Sequence, residues 1–159
     1  MEATQARTGE PAVQATTVKV FSQTIEVKTA DQIDLVNITD EIRGFIEFTG
    51  ITAGHIQISC LHTTAALFVN EWQDALLTDI KAMLENVVPR NVYYKHNDLE
   101  YSDCDRNNAH SHLRNVVLGH CLTLPIAEGQ VVLGTWQNII LSEFDGPNQR
   151  KLFLQVFGI

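Results

Sequence analysis

The chain has 159 residues, with eleven basic side chains against nineteen acidic ones, a net charge of −8 at neutral pH, and 45% apolar residues. That length and apolar content suit one ordinary domain with a real core. The acidic balance argues against a general nucleic-acid binder, which needs a basic face to displace counterions, and against attraction to anionic membranes. A small phosphorylated ligand held by one or two local cations stays compatible with it.

Residues 1–15 carry Glu2, Arg7, Glu10 and Pro11 without an apolar core, so they do not read as a signal peptide. They are expected to form a flexible N-terminal tail ahead of a domain spanning 16–159. Residues 16–28 alternate through Val18, Val20, Ile25 and Val27 and predict a first hairpin or long strand. Residues 34–48 read as a helix, with Ile38, Ile42, Phe45 and Ile46 at helical spacing and Gly50 just beyond. Residues 55–69 are apolar and rich in β-branched side chains, as suits one strand buried on both faces. Asn70 then looks like a helix N-cap with Gln73 as its capping-box partner. The helix should run to Val87 and stop before Pro89.

Residues 90–108 form a long polar loop holding Tyr93, Tyr94, His96, Asn97, Asp98, Asp103 and Asp105. A third, short helix is expected over 108–117, ending at Gly119. Three closing strands follow at 121–125, 131–143 and 151–157, with Gly134 as a candidate bulge. Helices and strands mix without regular βαβ alternation, which predicts an α+β fold. No segment approaches transmembrane length. Cys60, Cys104 and Cys121 are odd in number and form no Cys-x-x-Cys pair, which favours a reducing cytoplasm over a secreted disulfide framework.

All six histidines fall between His55 and His120, so any imidazole chemistry belongs to the middle of the chain. The segment from His62 to Glu71 places His62 and Thr64 on one strand face, Thr63 on the other, and Asn70 and Glu71 at a strand-to-helix junction of the kind that binds phosphates. The same residues also read as a core histidine, a cap and a first-turn charge. His96-Asn-Asp98 and His110-Ser-His112 form a second group. Positions two apart on a helix do not face each other, so His110 and His112 cannot both serve one ion easily, and a solvated loop explains them as well. Trp136 and Gln137, then Glu143 and Asp145, then Arg150 form a third. Two carboxylates at a strand end can bind a metal or divide acid and base roles, and an arginine can clamp an anion. An edge strand with a surface arginine is the plainer alternative.

In this order, HTTAALFVNE, the Tyr-x-x-His-Asn loop, NAHSHLRNVVLG, LPI-x-x-GQ-x-x-LGTWQ and EFDGP-x-x-R resemble the YjbQ-like family, also labelled the secondary thiamine-phosphate synthase family. The resemblance covers about residues 17–158. It implies a single α+β domain with a mixed β-sheet and flanking helices, a homotrimer, and polar motifs gathered near subunit contacts. Carried over, the matching positions are His62, Thr63, Asn70, Glu71, Asp74, His96, His112, Trp136, Gln137, Glu143 and Arg150. The resemblance favours His112 over His110. Asn148 stands where relatives often carry an arginine, so part of an expected anion clamp is missing.

The implied function is joining an aminopyrimidine diphosphate to a thiazole phosphate. A divalent ion, zinc or magnesium, would neutralise the departing pyrophosphate, with His62, His96 and His112 as its ligands or as catalytic acid–base groups. In that scheme Glu71 and Glu143 are base residues or support the ion. Thr63, Asn70, Trp136, Gln137 and Arg150 contact substrate. Two alternatives share the site: metal-assisted hydrolysis of a small phosphorylated metabolite, and a non-catalytic trimeric metabolite-binding protein.

Overall fold

The computed structural model describes residues 17–159, so the tail expected at 1–15 lies outside the described residues. In chain order the elements are β1 (Lys19–Lys28), β2 (Asp34–Asn37), α1 (Thr39–Thr49), β3 (Ala53–Cys60), β4 (Ala65–Glu71), α2 (Asp74–Val87), a 3-10 turn (Lys95–Asn97), α3 (Ala109–Leu118), β5 (Cys121–Ala127), β6 (Gln130–Val131), β7 (Gln137–Glu143) and β8 (Gln149–Gly158). The fold is a single α+β domain, as expected. The strands make two sheets, β1-β8-β3-β5-β6 and β2-β7-β4. Every pairing in them is antiparallel, where one mixed sheet was implied. Among the described residues β5 and β6 are the one pair adjacent in sequence; the other pairings join strands distant in the chain, each running opposite to its partner.

The two sheets stack in layers. Ile56 and Ile58 of β3 and Leu152, Leu154 and Val156 of β8 share one core with Leu67 of β4 and Ile139 and Leu141 of β7. Ile42, Phe45 and Ile46, on one stripe of α1, belong to the same core. The other face of the small sheet presents Leu35, Ala66 and Ile140 to Leu77, Ile80 and Leu84 of α2. Strands β4 and β7 are therefore buried on both faces, which is why their sequences read as nearly continuous apolar runs.

Several expected boundaries are corrected. The stretch 34–48 is not one helix. Leu35 and Val36 lie in β2, which pairs with Leu141 and Ser142 of β7, and α1 begins only at Thr39. That helix ends at Gly50, whose φ of 67° is left-handed backbone that favours glycine. Residues 55–69 are two strands in two different sheets, broken at 61–64. Residues 131–143 divide the same way, and Gly134 lies in the connection rather than at a bulge: its N–H donates to Gln137 Oε1 at 2.7 Å.

Candidate functional site

The chain crosses from the large sheet to the small one through residues 61–64, and this crossing builds one wall of a cavity. Backbone bonds pin it on both sides. Cys60 N–H donates to His120 O at 2.7 Å, Leu61 N–H to Lys151 O at 3.0 Å, and Phe144 N–H to Thr64 O at 3.1 Å. His62 is held in turn, because its Nε2 accepts the Lys151 N–H at 2.8 Å. An accepting nitrogen carries no proton, so the proton of the neutral ring sits on Nδ1, the single N–H that His62 can offer. Burial lowers the His62 pKa, and the nearby Arg150 charge adds to that shift.

Behind this wall lies a buried ion pair. Arg150 gives both Nε and Nη2 to the Glu143 carboxylate, and Nη2 also donates to Thr64 Oγ1 at 3.0 Å. Glu143 further accepts the Phe144 N–H at 2.9 Å, the Asp145 N–H at 2.8 Å and the Thr29 hydroxyl at 3.2 Å. With Glu143 0% and Arg150 5% exposed, the carboxylate is fully occupied in holding the arginine and the following turn.

The opposite wall comes from the polar loop and the start of α3. Asn97 Oδ1 accepts the Ala109 N–H at 2.9 Å, which ties the loop to the helix N-terminus. This brings His96 and His112 edge to face, with ring centroids 5.0 Å apart. Burial and the His96 charge lower the His112 pKa. His110, two positions earlier, is buried away from the cavity, so the helix separates the two imidazoles as its geometry demands. Asp145 accepts from Asn108 Nδ2 at 2.7 Å and lies 3.6 Å from Arg106.

Between the walls is a cavity of about 460 Å³, lined by Leu61, His62, Thr63, Thr64, His96, Cys104, Arg106, Asn108, His112 and Arg150. Among the described residues no carboxylate lines it; Glu143 and Asp145 are paired to its arginines from outside the lining. Of the residues expected at the site, His62, Thr63, His96, His112 and Arg150 meet here. Thr64, Cys104, Arg106 and Asn108 join them. Thr64 belongs to the same His-Thr-Thr run, and the other three lie in or at the end of the polar loop, which was flagged only as a whole.

Asn70, Glu71, Trp136 and Gln137 are elsewhere. Asn70 pairs with Asn138 and Glu71 with Gln137, at the end of the β4–β7 ladder opposite the Ala65–Glu143 pair. Six residues of strand separate the two ends, roughly 20 Å. Trp136 is 70% exposed there. Asn70 is a strand residue whose side chain accepts from the Glu71 N–H, while Gln73 caps α2 by accepting the Leu76 N–H at 2.8 Å. Asp74 is the first residue of that helix.

The geometry does not fit the metal-dependent site that the resemblance implied. Among the described residues no three His, Cys, Asp or Glu side chains are grouped to hold a metal ion. His62 has its Nε2 engaged by backbone, and Glu143 has no free oxygen. His96 and His112 alone fall short of the three protein ligands of a catalytic zinc site.

What fold and site define is a two-sheet α+β protein with a cavity rich in hydrogen-bond donors and, among the described residues, free of carboxylates. Residues 23–159 match the family model described as UPF0047 protein YjbQ-like, and the chain belongs to that family. It is 39% identical over 141 residues to a UPF0047 protein of Methanothermobacter thermautotrophicus, covering 89% of this chain and 94% of that protein. It is 31% identical to the UPF0047 protein YugU of Bacillus subtilis, covering 86% and 98%. The crystal structure of a YbjQ-like protein of unknown function from Sulfolobus solfataricus superposes with a TM-score of 0.83 at 37% identity, covering 90% of this chain and all of that one. These relatives carry no thiamine-phosphate synthase activity in their names. Together with the missing cation site, this corrects the synthase reading and the metal-assisted hydrolase beside it. Among the described residues no helix is long and apolar enough to cross a membrane.

Proposed function

We propose that the chain binds a small phosphorylated metabolite in the cavity between residues 61–64 and the start of α3. One observation carries this reading: in a chain of net charge −8, the cavity is lined by two arginines, three histidines, two threonines and an asparagine, with no acidic side chain among the described residues. Such a lining offers oxyanions charged and neutral donors together. His62 supplies an N–H without being protonated, so part of the recognition persists above neutral pH. Arg106 is the exposed clamp, its side chain 69% exposed and 3.6 Å from Asp145. Arg150, locked by Glu143, is the fixed one.

The test is calorimetric titration of the full chain with inorganic phosphate and glycerol 3-phosphate at pH 7.5. Both are expected to bind. Arg106→Ala should weaken both by about tenfold, the loss of one charge-assisted hydrogen bond at roughly 1.5 kcal/mol. Absence of heat and of any thermal stabilisation by either anion would refute the reading.

The homotrimer implied by the resemblance is part of the same proposal. On the face of the large sheet turned away from the core, Val20 is 61% exposed and pairs in register with Phe157. Size-exclusion chromatography with light scattering should return three times the 17.8 kDa chain mass. A cytoplasmic location is supported by three unpaired thiols, Cys60, Cys104 and Cys121.

A further inference from the structure

A second cavity, of about 270 Å³, adjoins the first. It is lined by Tyr94, Lys95, His96, Ala109, His112 and Leu113, so His96 and His112 wall both spaces. Its chemistry is different. Apart from Lys95 and the shared imidazoles, its lining residues are Tyr94, Ala109 and Leu113. The walls are set in place. The Tyr94 hydroxyl donates to Pro89 O at 2.7 Å, and Ala109 is anchored through its N–H to Asn97. Lys95 is turned toward the Tyr101 ring, with Nζ 5.3 Å from its centroid. The space has room for an aromatic ring, since about 150 Å³ of apolar cavity holds benzene.

We infer that the ligand has two parts: a phosphate in the donor-lined cavity and a single flat aromatic ring in the Tyr94–Ala109–Leu113 cavity, joined across the edge-to-face pair His96–His112. This rests on the phosphate reading and narrows its ligand to small aryl phosphates. Continuity carries the step. Two spaces of different chemistry that share a wall of two imidazoles fit one amphipathic molecule, and an aromatic lining of Tyr94, His96 and His112 favours a ring over an alkyl chain. A ligand of phosphate alone would leave the apolar half unused.

The experiment titrates the full chain calorimetrically with inorganic phosphate, glycerol 3-phosphate and phenyl phosphate. Phenyl phosphate is expected to bind at least about tenfold tighter than glycerol 3-phosphate, the advantage of burying one ring. Leu113→Ser, at a position already 42% exposed and therefore tolerant of change, should shrink that ratio severalfold. In amide spectra, phenyl phosphate should shift Tyr94, Ala109 and Leu113 where inorganic phosphate leaves them in place. Phosphate binding with no preference for the phenyl ester, or a preference untouched by Leu113→Ser, would overturn the two-part ligand and leave the phosphate reading standing. Failure of all three probes would remove the phosphate reading and this inference with it.

Discussion

Glu143 shows how far a single residue's role depends on neighbours that a sequence does not place. From the strand pattern, Glu143 and Asp145 share a face and suggest an acid–base pair. Folded, Glu143 receives two arginine nitrogens, two backbone N–H groups and a hydroxyl, all out of water. Nothing in the order Glu143 to Arg150 shows that the chain turns back to bring them together. Removing one member of such a pair strands the other's charge in a low-dielectric interior. Glu143→Ala should therefore cost about 3–5 kcal/mol, read as a lowered urea midpoint, whereas Glu71→Ala at the far strand end should stay within about 0.5 kcal/mol. The histidines give a second prediction at this scale. Burial lowers the pKa of His62, His110 and His112 in the folded chain, and for His110 the Arg114 and Arg90 charges add to it. The unfolded chain, with imidazoles near 6.5, then binds more protons than the folded one in acid. Stability should be full above about pH 6.5 and fall as the pH drops below it. Urea midpoints between pH 7.5 and 5 check this, and His110→Gln should flatten part of the slope. A midpoint that rises on acidification would contradict it.

At the scale of elements, periodicity was legible and sheet membership was not. The stripe Ile42, Phe45 and Ile46 marked α1 because one helix face packs on the core. Residues 55–69 looked continuous because both halves are buried. Yet β3 belongs to the large sheet and β4 to the small one, and the four residues between them carry His62, Thr63 and Thr64. Local pattern reports burial and says nothing of which sheet receives a strand. The polar character of 61–64 was the available signal, since a strand buried on both faces has no place for His-Thr-Thr. Capping went astray by three residues for a related reason: Asn70 has the better intrinsic preference, but the β4–β7 ladder extends through Glu71 and leaves the cap to Gln73. Gln73→Ala should lower stability by about 0.5–1 kcal/mol, and Asn70→Ala by less, in thermal or urea unfolding.

For the molecule as a whole, the small sheet is the middle layer, clasped by the large sheet on one side and by α2 on the other. Leu141 is fully buried in it, and Leu141→Ala should cost about 2–5 kcal/mol. That same sheet sets the distance between two groups of polar residues, because β4 and β7 run from the cavity at Ala65 and Glu143 to Glu71 and Gln137. The chain's two tryptophans, Trp72 and Trp136, flank that far end, while the cavity holds none. Intrinsic fluorescence thus becomes a built-in control: with both indoles of a chain at the far end of the sheet, emission is expected to stay constant as phosphate saturates the protein, and a marked change would show an indole close to the bound anion.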